Sequence, residues 1–257
     1  MILRVLSSSM VSWRCFIAYS FLTTVFLSGC GEWAKSAGQN SKQVIKETNV
    51  AQLMTEANDA QKAQDYFTKG NSLFNLHRYE EAIAAYDKAI SIKSESAEAW
   101  INRGNALTAL QRYEEAVQSY DEAIAIKTDK HETWFNKGNV LTKLQRYKEA
   151  IVSYDKAIAI KPDKLEAWIN RGIALTNLQR YHEALASYDK AIAIQPNKHE
   201  AYYNKACTYA LQDNTKLAVE NLQKAIKLFP GKYDKLAKTD SDFAKIRSNK
   251  QFQELIQ

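Results

Sequence analysis

AEAWINRGNALTALQRYEEAVQSYDEAIAIKTDK, residues 97–130, runs straight into HETWFNKGNVLTKLQRYKEAIVSYDKAIAIKPDK, residues 131–164, and the two are near copies. The interval extends beyond them. Pro162, Pro196 and Pro230 are 34 residues apart, and Gly70, Gly104, Gly138 and Gly172 keep the same step, as do Trp100, Trp134 and Trp168. Glycine and proline are strong local punctuation for a backbone. Repeating both at one interval means that a single supersecondary unit has been copied and stacked.

Each copy reads as helix, short turn, helix. In 97–130, Trp100, Leu107 and Leu110 recur on one face, and Tyr113, Ala116, Tyr120, Ala123 and Ile124 follow the helical period after them. The polar pair Gln111-Arg112 separates the two runs, and proline ends the second helix in later copies. Five gapless units result: 63–96, 97–130, 131–164, 165–198 and 199–232. Such a stack grows in one dimension and has no single globular core. Gly104 falls midway along a first helix, where glycine costs about 1 kcal/mol relative to alanine. The expectation is that the second helix needs that space, with Ala116 and Ala123 as the matching small residues.

The pattern Trp100, Gly104, Leu107, Tyr113, Ala116, Tyr120, Ala123 resembles the tetratricopeptide repeat (TPR) at its 34-residue period. The next two units repeat it with Trp134, Gly138, Leu141, Tyr147, Ala150, Tyr154, Ala157, Pro162 and with Trp168, Gly172, Leu175, Tyr181, Ala184, Tyr188, Ala191, Pro196. The first unit has Tyr66, Gly70, Leu73, Tyr79, Ala82, Tyr86 and Ala89. The fifth departs, with Ala206 for the glycine, Thr215 for the turn aromatic and Leu222 for the second tyrosine. An atypical terminal unit is expected where a neighbour is missing. The resemblance implies an all-α, right-handed α-solenoid of five units. Residues 233–257, with Leu236, Phe243, Ile246, Phe252, Leu255 and Ile256, are expected to form a short helical cap.

The family resemblance also implies that the first helices line a concave groove where partners bind. Carried over position by position, four rows face it. One is Glu98, Glu132, Glu166, Glu200, and the second is Phe67, Ile101, Phe135, Ile169, Tyr203. The third is Asn102, Asn136, Asn170, Asn204, with Thr68 breaking it in the first unit. The fourth is Asn71, Asn105, Asn139, ending at Ile173 and Cys207. An amide offers a donor and an acceptor and so matches a peptide bond. The Asn102 to Asn204 row resembles the asparagine ladder in the TPR superhelix of O-linked sugar transferases, which holds substrate backbones in this way. Duplication of near-identical units would also carry every asparagine along. Each glutamate sits in a first turn, where a carboxylate favours the helix dipole, and that reading is preferred to recognition of a basic ligand. Acidic chaperone tails need cations in the groove, where this chain has glutamates.

The N-terminus reads as an address. Arg4 and Arg14 precede the apolar run CFIAYSFLTTVFL, Cys15 to Leu27, and small residues follow, as in a secretory signal. The run is shorter than the roughly 20 residues of a spanning helix. Leu27-Ser28-Gly29-Cys30 resembles the bacterial lipobox. That resemblance implies a signal peptide over 1–29, acylation of Cys30, and a membrane tether outside the cytoplasm in the cell envelope; an uncleaved signal anchor is the alternative. Residues 30–62 are expected to be a small, polar tether, with a capping helix from about Val44.

Composition excludes several classes. The net charge of +6 is small, with Lys and Glu interleaved on helices, and Arg4 and Arg14 fall before Cys30, so nucleic acid is not an expected partner. Cys15, Cys30 and Cys207 form neither a zinc spacing nor a disulfide framework, and no cofactor or metal is expected. The sequence has no phosphate-binding glycine loop, no GxSxG and no HExxH, and its four histidines are scattered. Cys207 reads as a small packed residue. The expectation is a non-catalytic scaffold binding proteins or extended peptides, with no small-molecule substrate. Two alternatives stand beside it: a subunit of an envelope assembly docking through its flanks and cap, and a sugar- or peptidoglycan-binding accessory.

Overall fold

The computed structural model describes residues 30–257, and the expected signal peptide, 1–29, lies outside them. Among the described residues all regular structure is helical. Paired helices follow in order: α1 (Cys30–Asn75) and α2 (Tyr79–Ile92), α3 (Ala97–Ala109) and α4 (Tyr113–Ile126), α5 (His131–Lys143) and α6 (Tyr147–Ile160), α7 (Leu165–Asn177) and α8 (Tyr181–Ile194), α9 (His199–Leu211) and α10 (Thr215–Leu228). A terminal segment follows, made of α11 (Tyr233–Thr239), a 3-10 turn (Ser241–Ile246) and α12 (Lys250–Leu255). From α2 to α10 each helix packs on its sequence neighbour, and the first helices α3, α5, α7 and α9 also touch one another in turn, which places them on the inner side of the stack.

The chain divides into two units, 1–56 and 57–257. In the first, the described residues belong to α1, and Val44, Val50, Leu53 and Met54 are exposed. Over 30–62, where a tether with a capping helix from about Val44 is expected, the described backbone is helical from Cys30 onward. Its Ala, Lys, Gln and Glu are strong helix formers and no proline interrupts them. No described helix is long and apolar enough to cross a membrane. The second unit holds the paired helices.

Every internal turn has the same left-handed closure. His77, Gln111, Gln145, Gln179 and Asp213 all have φ between 57° and 60°. In the second pair, the Gln111 N–H donates to Thr108 O at 3.0 Å and the Arg112 N–H to Leu107 O at 2.9 Å. These two bonds define a Schellman cap, where glycine is the usual left-handed residue. A side chain at that φ carries a steric cost of roughly 1–2 kcal/mol, which this chain accepts five times over.

The reason for the mid-helix glycines differs from the expectation. A Cβ on Gly104 would lie 2.8 Å from Cε1 of Tyr120, and one on Gly138 would lie 2.6 Å from Cε1 of Tyr154. The tyrosine ring, not the backbone near Ala116 or Ala123, takes the space. The fifth pair makes the converse choice, since Ala206 replaces the glycine and the smaller Leu222 replaces the ring, both fully buried. The repeating tryptophan ties down the preceding loop. Trp100, Trp134 and Trp168 donate Nε1–H to Ser94 O, Thr128 O and Pro162 O at 3.1, 3.0 and 2.9 Å. Tyr202 reaches Pro196 O with its hydroxyl at 3.1 Å, so the fifth unit keeps the bond with a different aromatic.

The apolar core falls into two large clusters. One runs from Leu73 to Tyr188 through the first four pairs, and the other from Tyr203 to Ile256 joins the fifth pair to the terminal segment. Ala167 and Ala201 pack against Ala157 and Ala191 of the preceding pairs. Thr133 stands at the equivalent place in α5, 1% exposed, and its hydroxyl has no hydrogen-bond partner among the described residues.

Candidate binding groove

The two asparagine rows are bonded to each other. Nδ2 of Asn102 donates to Oδ1 of Asn71 at 2.8 Å, Asn136 donates to Asn105 at 3.2 Å, and Asn170 donates to Asn139 at 2.8 Å. The same Oδ1 atoms accept from Tyr86 Oη at 2.9 Å, Tyr120 Oη at 2.8 Å and Tyr154 Oη at 3.0 Å. Each seam between the first four units is therefore an Asn–Asn–Tyr clamp. Burial pushes the Tyr120 and Tyr154 hydroxyls up to about 12, which keeps them protonated donors at neutral pH.

The two rows, read one by one in the sequence, are thus a single bonded network. An asparagine oxygen with two bonds is saturated, while the Nδ2 groups of Asn71, Asn105 and Asn139 and the Oδ1 atoms of Asn102, Asn136 and Asn170 donate or accept nothing further among the described residues. Donor and acceptor capacity survives, but its polarity is fixed unit by unit. The pairing has a sequence signature, namely offsets of 31 residues between asparagines and 15 from asparagine to tyrosine.

Ile173 ends the fourth row, and the clamp ends with it. Tyr188 keeps only the contact to Thr176, at 3.3 Å, that Tyr120 and Tyr154 also make to Thr108 and Thr142, and Thr176 bonds Thr208 of the fifth unit at 2.9 Å. Asn204 makes no side-chain hydrogen bond among the described residues.

The apolar row also splits. Ile101 and Phe135 are part-exposed, with Lys164 5.1 Å above the Phe135 ring. Ile169 and Tyr203 are each only 6% exposed, so these two members of the row offer the groove little surface. Ile169 packs with Leu165 and Ala201. Tyr203 lies beneath the terminal segment, stacked on Tyr233 at 4.7 Å and edge-on to Phe243 at 5.8 Å, with its hydroxyl donated to Asp240 Oδ2 at 2.6 Å. Helix α11 begins 34 residues after α9, as a sixth first helix would, then stops at Thr239 and leaves Asp240 extended.

Every glutamate of the first row has a partner within the molecule. Glu98 pairs with Lys130, Glu132 with His131 at 2.9 Å, Glu166 with Lys164 at 3.0 Å and Glu200 with Lys198 at 3.3 Å. Hydrogen bonds from Lys130 and Lys164 hold Glu98 and Glu166 below the usual carboxylate range. A second ion-pair row crosses the seams, Arg103 to Asp87 at 2.7 Å and Arg171 to Asp155 at 2.6 Å, with Lys137 to Asp121 and Lys205 to Asp189 in the same places.

Among the described residues one group of metal-ligand type gathers, Cys207 with Asp240 and Asp242. Tyr203 and the Cys207 thiol both point donors at Asp240, and burial raises the Cys207 thiol and the Asp242 carboxyl. The group is thereby committed to holding the terminal segment down. The groove floor holds a cavity of about 320 Å³ between the second and third units, lined by Asn105, Asn136, Asn139, Thr108, Tyr113 and Lys143, with Val140 on its wall.

Tetratricopeptide repeat family models match residues 67–131, 131–164 with 165–198, and 187–220. The crystal structure of YrrB, a TPR protein with an unusual peptide-binding site, is 28% identical, spanning 71% of this chain and 93% of that one with a TM-score of 0.62. MamA is similar in fold, at 20% identity over 65% of this chain and 92% of that one, with a TM-score of 0.63. MamA 41-end from Desulfovibrio magneticus RS-1 gives 22% identity over 65% and 94%, with a TM-score of 0.63. No curated protein sequence matches.

Proposed function

Because the chain belongs to the tetratricopeptide repeat family, we propose that it is a non-catalytic scaffold whose first-helix groove holds an extended segment of a partner protein. The observation that carries this reading is the clamp. Each of three seams leaves an unused amide N–H₂ and an unused amide oxygen, repeating along α1, α3, α5 and α7 in one fixed order. A peptide backbone presents the complementary groups at each residue. The floor is preformed by bonds within the protein, so capture needs little ordering of the receptor. The peptide-binding site of YrrB, at 28% identity, supports the same use of this fold.

The reading includes a tether. Cys30 following Leu27-Ser28-Gly29 is the acylation site, and it holds the repeats at a membrane surface in the cell envelope, raising their local concentration for partners there. Two or more acyl chains anchor stably where one does not.

Photocrosslinking from Ile101 and Phe135 in intact cells, with mass spectrometry of the products, tests the groove. Capture of one partner from both positions is expected, and its loss when Asn102, Asn136 and Asn170 are all changed to Ala. Because those changes also cut the seams, thermal melting of the triple variant accompanies the assay. Undiminished capture by the variant would place the docking surface on the flanks instead. Labelled fatty acid incorporation should disappear in Cys30→Ala, and equal labelling would remove the tether.

A further inference from the structure

The last second helix, α10, hands over to the terminal segment through a loop unlike the others. The four earlier loops read KSES (93–96), KTDK (127–130), KPDK (161–164) and QPNK (195–198), and this one reads FPGK (229–232). Phenylalanine stands where the others have Lys93, Lys127, Lys161 and Gln195, and the acid that the first three loops carry at Glu95, Asp129 and Asp163 is gone. Phe229 meets His199 edge-on at 4.9 Å yet stays 46% exposed. Leu228 before it and Leu236 on α11 are 39% and 43% exposed. A Cβ on Gly231, at φ 76°, would meet no atom within 4 Å, so the loop tip stands clear of the body.

Charge of one sign surrounds these side chains. Between Asn221 and Thr239 the chain has five lysines, Lys224, Lys227, Lys232, Lys235 and Lys238, and one acid, Asp234. All five lysines are exposed. Lys238 bonds Gln257 O at 3.4 Å, and the other four form no ion pair among the described residues, whereas the cations of the seam row are all paired. By helical period Lys232, Lys235 and Leu236 share the outer face of α11, opposite the buried Tyr233 and Ala237, with Asp234 on its flank. The nearest acid on α10 is Glu220, one turn before Lys224. The acids that follow α11, Asp240 and Asp242, gather on the buried Cys207.

A lysine is a point charge on a flexible stem, which suits a diffuse negative surface better than one carboxylate held in fixed geometry. Leucine and phenylalanine exposed among lysines suit the boundary between headgroups and acyl chains, where apolar burial and attraction to anionic lipid act together. We propose that this end of the chain lies on an anionic lipid surface, with Leu228, Phe229 and Leu236 entering the headgroup boundary and Lys224, Lys227, Lys232 and Lys235 meeting the lipid phosphates. The contact needs no spanning helix. It goes beyond the tether reading and does not depend on it, because the patch meets such a surface whether or not Cys30 is acylated.

For the test, the full chain is mixed with phosphatidylcholine vesicles, with or without phosphatidylglycerol, and hydrogen exchange is followed by mass spectrometry. The apolar run Cys15 to Leu27 is common to both mixtures, so their difference isolates the patch. Exchange over 227–239 should slow roughly 5-fold or more on the anionic vesicles, with the loops at 127–130 and 161–164 unchanged. Changing Lys227, Lys232 and Lys235 together to Gln should abolish the slowing, and Phe229→Ser should reduce it at least roughly 3-fold. The four side chains are exposed, so both variants are expected to melt with the parent, and a melting curve checks this. Equal exchange on the two vesicles overturns the inference. Slowing shared equally by the other loops overturns it too, because that reports net charge alone, as does slowing that Phe229→Ser leaves intact. Equal exchange joined to an acidic protein crosslinked from Leu236 in cells, and lost in the triple lysine variant, overturns it in favour of a protein surface. Fatty acid labelling of Cys30 decides the tether separately.

Discussion

The first four units and the fifth share one two-helix plan but meet their neighbours by different chemistry. Between the first four, a glycine lies under a buried tyrosine ring, whose hydroxyl joins two asparagines across the seam. In the fifth, Ala206 and Leu222 replace glycine and ring, Thr208 replaces the amide contact, and aromatic residues of the terminal segment close the far side. A seam that recurs must leave a usable face on both sides. A seam used once is free to fill its groove with side chains. The difference shows why the clamp stops at Asn170: beyond it the concave side is occupied by the chain's own terminus.

The largest effect should come from breaking the terminal closure. Phe252 is fully buried and packs on Phe243 at 5.3 Å, so Phe252→Ala should cost about 3–5 kcal/mol. Because its cluster is separate from the one ending at Tyr188, hydrogen exchange should accelerate in α9–α12 while α3–α6 stay protected. Equal loss throughout would show that the two clusters act as one.

Converting a middle unit to the fifth unit's solution sharpens the comparison. Gly138→Ala should cost about 1–3 kcal/mol, since the new methyl meets the Tyr154 ring. Adding Tyr154→Leu should cost less than the sum of the two changes by at least about 1 kcal/mol, as read from urea denaturation. Strict additivity would mean that the ring does not explain the glycine.

A smaller change makes the third unit more like its neighbours. Thr133→Ala removes a buried hydroxyl with no partner from a place where α3, α7 and α9 have alanine, and should stabilise the array by about 1 kcal/mol. A lower melting temperature would contradict that.

The smallest effect concerns pH. Burial, then the nearby Asp240 carboxylate, raises Asp242 above the ordinary range. A raised acid stabilises the fold while protonated and loses that contribution as pH climbs through its folded value. Asp242→Asn should therefore firm the terminal segment at pH 7 by less than about 1 kcal/mol, with the advantage fading as pH falls through the raised folded value and gone by the range of a free aspartate. An advantage that grows in acid would reverse the sign.

The fold was legible because its markers are steric. Only a spatial constraint repeats glycine, proline and tryptophan at one interval, and that settles the stacked helix pairs before any coordinate. What stayed hidden lies in where side chains point. Asn71 and Asn102 look like separate rows until their 31-residue offset is read with the 15 residues to Tyr86. The left-handed turn residues gave no sign because glutamine stands where glycine is usual. Polar composition suggested a tether before the first unit, yet the same lysines, glutamines and alanines are good helix formers. Tyr203 read as a groove residue because its position in the unit is right. Only the start of α11 one period after α9 hints that the chain folds back over it.

A joint that is copied carries its own rule for growth. The clamp asks the second and third units each for an amide on one face and an amide–hydroxyl pair on the other, while the first supplies only the pair and the fourth only the amide. An in-frame gain or loss of one such block would leave matching faces in contact, so this stretch can change length in the gene without a second compensating change. The last block has no such liberty, and lengthening should be found only upstream of it.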